Sequence, residues 1–88
     1  MERVVLLTGG TSGIGLAAAR LFLGAGCSVA LAGRSAQRGA AALASLADLA
    51  EEGKAAFFAA DIRQPAEAKR LVSEVLTHFG RLDVLVNA

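Results

Sequence analysis

Residues 8–15 read Thr8-Gly9-Gly10-Thr11-Ser12-Gly13-Ile14-Gly15, and the apolar run Val4-Val5-Leu6-Leu7 stands immediately before them. A short valine- and leucine-rich run ended by glycines reads as a buried strand, Val4–Thr8. From Ser12 to Leu23 the apolar residues Ile14, Leu16, Ala17 and Leu21 recur near helical spacing, and Gly24 and Gly26 end the pattern. The glycines therefore join a strand to a helix. A loop that carries a phosphate must bring backbone N–H groups close to anionic oxygens, and side chains at Cβ stand in the way, so glycine is favoured there. The helix that follows adds unpaired N–H groups and the positive end of its dipole. In the spacing Gly9-x-x-x-Gly13-x-Gly15, Gly9 is expected to make the tight turn and Gly13 to let a ligand approach. Gly15 is expected to let the helix lie close to the strand. The whole is expected to hold a dinucleotide pyrophosphate. No Gly-Lys-Ser/Thr follows, which disfavours a P-loop.

The rest of the chain alternates in the same way. Ser28–Ala32 is a second short apolar run, closed by Gly33. Ser35 suits the cap of a second helix, with Leu43, Leu46 and Leu49 along it and Gly53 at its end. Ala55–Ala60 is a third strand, closed by Asp61; its Phe57 and Phe58 are expected to face opposite sides of the sheet. Pro65 fits the first turn of a third helix, which runs to about Phe79 with Gly80 as its C-terminal cap. Asp83 leads into a fourth strand, Val84-Leu85-Val86, and Asn87 follows. This β-α-β-α-β-α-β alternation predicts an α/β fold with a parallel sheet and right-handed crossovers. Read with the glycine loop, it predicts a Rossmann-type doubly wound sheet with strand order 3-2-1-4.

The stretch TGGTSGIG resembles the Thr-Gly-x-x-x-Gly-x-Gly pattern of the short-chain dehydrogenase/reductase family, and differs from the Gly-x-Gly-x-x-Gly of medium-chain and lactate-type dehydrogenases. Three further stretches agree: LAGRS at the end of the second strand, AADIR after the third, and HFGRLDVLVNA at the C-terminal end. The resemblance covers essentially the whole chain. It implies a cofactor-binding set of Gly9, Thr11, Ser12, Gly13, Ile14 and Gly15 in the loop, Asp61 and Ile62 at the adenine, and Asn87 beside the adenine-side ribose. Thr8 reads as structural. In NAD-using relatives an acidic residue at the Gly33 position holds the ribose diol. Here Arg34 and Ser35 follow Gly33 instead, so a guanidinium fork and a hydroxyl can meet a 2′-phosphate, and NADP (NADPH) is the expected cofactor. Arg38 is a weaker second cation. The missing acid also counts against an S-adenosylmethionine methyltransferase.

The sequence departs from the family pattern in two places. Ala88 stands where a second Asn is usual. The family's catalytic Ser and Tyr-x-x-x-Lys have no counterpart, since Tyr is absent from all 88 residues. Residues 1–88 thus read as the N-terminal half of a single dinucleotide-binding domain, with no catalytic residue of their own. The implied activity is hydride transfer between NADPH and a small carbonyl or alcohol substrate. A homo-oligomer is expected for a longer chain. The competing class is a non-catalytic nucleotide-binding module or a truncated fragment.

Composition closes off other classes. Nine Lys and Arg against eight Asp and Glu give a net charge of +1, with no basic stripe interleaved with aromatics, so nucleic-acid binding is not expected. Cys27, the single cysteine, cannot form an internal disulfide and reads as a small core residue; with His78 the single histidine, no metal site is expected. No apolar run approaches the roughly 18 residues of a membrane span. With no cleavage site of a signal peptide, a cytoplasmic protein is expected. Hydrophobic residues make up 55% of the chain, high for so small a domain, which fits a sheet covered on both faces or a surface that rests on something further.

Overall fold

A computed structural model describes residues 2–11, 13–51 and 53–87; Ser12 and Ala88, both singled out above, lie outside the described residues. Seven elements alternate: β1 (Val4–Thr8), α1 (Gly13–Gly24), β2 (Ser28–Gly33), α2 (Ala36–Leu46), β3 (Ala55–Ala59), α3 (Pro65–Phe79) and β4 (Val84–Asn87). All pairings are parallel and the strand order is β3-β2-β1-β4, as the sequence predicts. Central β1 and β2 are buried on both faces, which is why they read as continuous apolar runs rather than alternating ones.

Each face has its own core. On one side Val5, Leu7, Val29 and Leu31 meet Ala19 and Leu23 of α1 and Ala42 and Leu46 of α2. On the other, Val4, Leu6, Ala30 and Ala32 meet Leu71 and Val75 of α3. Phe57 joins the first core and Phe58 the second, the period-two consequence of strand geometry. Cys27 is half-buried against the first.

Two expectations fail in instructive ways. The buried stripe of α1 is Gly15, Ala19 and Leu23, whereas Ile14 and Leu21 are 85% and 77% exposed. Small residues at 15 and 19 let the helix approach the turn and the sheet, and this turns the bulkier Ile14 and Leu21 outward. Helix α2 stops at Leu46 rather than running to Gly53. Its last carbonyls are met from α1: the Arg20 guanidinium donates to the Ser45 carbonyl at 2.9 Å and forks onto Asp48. Leu49 and Ala50 N–H groups both turn back onto the Leu46 carbonyl at 2.9 Å. Leu49 is left partly exposed. Helix α3 keeps its expected bounds, with Pro65 in the first turn and Gly80 as a left-handed C-cap at φ 82°, its N–H on the Leu76 carbonyl.

The fourth strand is tied to the first by Asp83. Its carboxylate accepts the Val4 N–H at 2.8 Å and is forked by Arg81, while its own N–H donates to the Val4 carbonyl at 2.9 Å. The Arg81 guanidinium, then the Val4 N–H, holds the Asp83 carboxyl below its ordinary value of 3.8. A carboxyl with a lowered folded-state pKa stabilises the fold fully above its unfolded value and loses that contribution as the pH falls from there through the lower folded value. Asp83→Asn is therefore expected to lower the thermal midpoint at pH 7. The gap to the unmodified protein should close as the pH drops below about 4, the unfolded carboxylate range. An equal gap at acidic and neutral pH would show that the charge is not what Asp83 contributes.

Candidate functional site: a cleft across the strand ends

The C-terminal ends of all four strands open onto one cleft of about 1010 Å³. β1 gives Thr8, with Gly9 and Thr11 beyond it; β2 gives Ala32 and Gly33, with Arg34 and Ser35 next; α2 adds Arg38. Ala60 to Arg63 follow β3, and β4 supplies Asn87. Since β2 and β4 flank β1, this lies at the point where the strand order reverses, the usual ligand crevice of an open parallel sheet.

The turn after β1 is built by contact. Gly9 has φ 74° and its N–H continues the ladder onto the Ala32 carbonyl at 3.0 Å, so that donor is already used. Gly15 is buried where a Cβ would stand 2.4 Å from the Gly9 carbonyl oxygen and 2.8 Å from Gly10 Cα. It therefore lets α1 approach the turn itself rather than the strand. Gly10, to which the sequence reading assigned nothing, is constrained less tightly, by side chains: a Cβ there would meet Leu31 Cδ2 at 2.8 Å and Leu7 Cβ at 3.0 Å. Gly13 opens α1 at φ 57° with nothing within 4 Å of a Cβ. Gly13→Val is expected to lower stability as well as ligand binding, because a branched residue at this φ is strained whatever the space. Gly13, Ile14 and Gly15 do not line the cleft.

At the end of β2 the backbone leaves room. The nearest atoms to a Cβ on Gly33 are Thr11 Cγ2 at 3.5 Å and Phe57 Cε1 at 3.8 Å, ordinary contacts. Arg34 and Arg38 line the cleft and are exposed, and neither forms an ion pair among the described residues. Ser35 caps α2, its Oγ accepting the Arg38 N–H at 3.2 Å, so one acceptor position of the hydroxyl is spent on the helix.

After β3 the carboxylate of Asp61 is engaged. Arg63 Nε and Nη2 each donate to it at 3.0 Å, and the Arg63 N–H donates to Oδ1 at 3.1 Å. The Arg63 fork, with a smaller contribution from Arg34, holds the carboxyl down to about 2. Arg63 was missed by the sequence reading; the signal was Asp-x-Arg spacing in the turn before Pro65. Behind it, Arg70 grips Glu67 at 2.9 Å and the Ala59 carbonyl at 2.9 Å, which fixes the turn to α3. Ile62 lines the cleft and is 42% exposed. Asn87 stands beside Thr8 in register, and its Oδ1 accepts the Thr8 hydroxyl, which ties β1 to β4 and leaves the Asn87 amide N–H groups as donors.

Among the described residues no three His, Cys, Asp or Glu side chains gather as a metal ion would need, and no helix is long and apolar enough to cross a membrane.

The sequence matches the family model for short chain dehydrogenase over residues 3–88. It is 38% identical over 86 residues to a 3beta-hydroxysteroid dehydrogenase of Mediterraneibacter gnavus, covering 98% of this chain and 30% of that protein. It is 36% identical to a peroxisomal 2,4-dienoyl-CoA reductase of Mus musculus, covering 98% of this chain and 29% of that one. Among solved structures, an actinorhodin polyketide ketoreductase variant with NADPH superposes at TM-score 0.91 and 34% identity, over 99% of this chain and 33% of its own. An NADH-dependent reductase complexed with NAD gives TM-score 0.85 and 37% identity, over 98% and 35%. The chain thus spans about 30% of the length of the curated relatives it matches.

Proposed function

Because the chain belongs to the short chain dehydrogenase family, we propose that residues 1–88 form the N-terminal half of a single dinucleotide-binding domain. Its cleft takes the adenosine and pyrophosphate of NADPH, in an oxidoreductase acting on a small carbonyl or alcohol. The observation that carries the choice of NADPH is the end of β2, where Arg34 and Arg38 stand in the cleft beside Gly33, with no carboxylate at that strand end. The residues present fit the group. The cleft has the volume of a small-molecule site. Gly33 leaves space, and the exposed cations suit a phosphorylated ribose.

The work of this segment is binding and orientation. Arg34 and Arg38 would meet the 2′-phosphate, and Ser35 would add its hydroxyl hydrogen. Asp61 and Ile62 would flank the adenine, and Asn87 would donate to the adenine-side ribose. Thr11, which lines the cleft, and the N-terminal end of α1 would face the pyrophosphate. When bound, the nicotinamide supplies the hydride chemistry, and the protein's part is to hold it in place.

Titration of the protein at its full natural length with NADPH is expected to give saturable binding, and NADPH oxidation once a ketone is supplied. Residues 1–88 alone contain no Tyr to protonate a carbonyl oxygen and are expected to show no oxidation above a Gly13→Asp control. Absence of binding by the full-length protein would remove the reading, and steady turnover by the segment would place the catalytic groups within it.

A further inference from the structure

Among the described residues the cleft holds one carboxylate, Asp61 at its β3 end, and its other charged side chains are the cations Arg34, Arg38 and Arg63. An unscreened carboxylate there would repel an anionic ligand. Arg63 sits over it as a bidentate fork, with both guanidinium contacts at 3.0 Å and its own N–H closing the turn at 3.1 Å. The turn is pinned from behind as well: the Gln64 N–H donates to the Asp61 carbonyl at 3.0 Å, and the Asp61 N–H reaches Glu67 Oε1 at 3.5 Å. The Asp61 side chain is 27% exposed and that of Arg63 70%, so the cation forms the outer layer.

Resting on the reading of this cleft as a nucleotide site, we infer that Arg63 is a specificity-determining residue: it screens the Asp61 carboxylate, so that a phosphorylated ribose meets only the field of Arg34 and Arg38. The pair as a whole is neutral. Removing Arg63 exposes a negative charge toward the ligand, removing the charge of Asp61 releases a third cation, and removing both restores neutrality. Any bond between Asp61 and the adenine is common to phosphorylated and unphosphorylated ligands, and cancels when the two are compared.

The test uses 5′-AMP and adenosine 2′,5′-bisphosphate, which differ only in the 2′-phosphate, titrated calorimetrically into the full-length protein at low salt. The quantity read is the ratio of the two dissociation constants. Arg63→Ala is expected to reduce the preference for the bisphosphate by about threefold to fivefold, the size of an exposed charge effect. Asp61→Asn is expected to raise it by a similar factor, and the double variant to return it near the starting value. Added salt should shrink all three differences. A ratio unmoved by Arg63→Ala, or a double variant as selective as Asp61→Asn alone, overturns the inference while nucleotide binding persists. If neither probe binds the unmodified protein, the reading of the cleft fails first and the inference falls with it. Circular dichroism on each variant separates loss of fold from loss of selectivity.

Discussion

Combining Gly33→Asp with Arg34→Ala is expected to turn a preference for NADP into one for NAD. The site can accept the new side chain: Gly33 is not among the glycines of positive φ, and its Cβ position has no atom closer than 3.5 Å. A carboxylate there, one residue before Arg34 at the mouth of the cleft, would accept both hydroxyls of an unmodified ribose. It would also repel a 2′-phosphate, which carries close to two negative charges at neutral pH. Loss of the Arg34 fork removes the attraction that would have offset that repulsion. A charge-assisted hydrogen bond contributes about 1.5–3 kcal/mol, so each half of the change is worth roughly tenfold to a hundredfold. The ratio of the two dissociation constants, measured on the full-length protein, should therefore move by at least about a hundredfold, with most of the loss falling on NADP. Arg34→Ala alone should weaken NADP and leave NAD nearly unchanged. If the unmodified protein binds both cofactors equally at moderate salt, Arg34 is a solvated loop residue.

What the sequence made legible is what local chemistry decides. The short apolar runs that end at Thr8 and Gly33 mark strands because the sheet buries both faces of its centre, and Pro65 and Gly80 bracket α3 because each fits a backbone position that others resist. The order of strands followed from the glycine loop, since alternation alone also allows a flavodoxin-like arrangement. What was not legible depends on partners distant in sequence. The end of α2 is set by Arg20, 25 residues earlier than the Ser45 carbonyl it meets. The link from Thr8 to Asn87 joins positions 79 apart. The inward face of α1 escaped because periodicity weighs large apolar residues, whereas Gly15 and Ala19 are buried for being small. Within the site, Arg34, Ser35, Asp61, Ile62, Asn87, Gly9 and Thr11 converge on one cleft. Arg63 was overlooked because an arginine two residues after an aspartate reads as ordinary surface until the turn brings their charges together.

Gly15→Ala provides the sharpest test of how the turn is held, because two effects predict opposite signs. In an exposed helix interior, alanine is favoured over glycine by about 1 kcal/mol, so propensity alone predicts a more stable protein. At Gly15 the added methyl would lie 2.4 Å from the Gly9 carbonyl oxygen, 2.8 Å from Gly10 Cα and 3.0 Å from the Gly9 carbonyl carbon. All three are backbone atoms and cannot rotate away. Neither side can retreat cheaply. Helix α1 is held down by buried Ala19 and Leu23, and the turn is held from beneath, where Gly10 rests against Leu7 and Leu31. Relief must come from backbone movement, and overfilling a well-filled core costs about 1–3 kcal/mol, occasionally more. The cost should exceed the propensity gain, leaving a net loss of about 1–2 kcal/mol by denaturant titration, and Gly15→Val should lose more. Gly13→Ala isolates the backbone effect: it has open space and carries only the strain of its positive φ, about 1–2 kcal/mol. Gly15→Ala also displaces Gly9 and Thr11, which line the cleft, and should weaken NADPH by about tenfold, as a shifted positioning contact does. A Gly15→Ala protein that is as stable as the unmodified one and binds NADPH equally well would mean that α1 stands off the turn, and that the close approach on which the cleft is built does not exist.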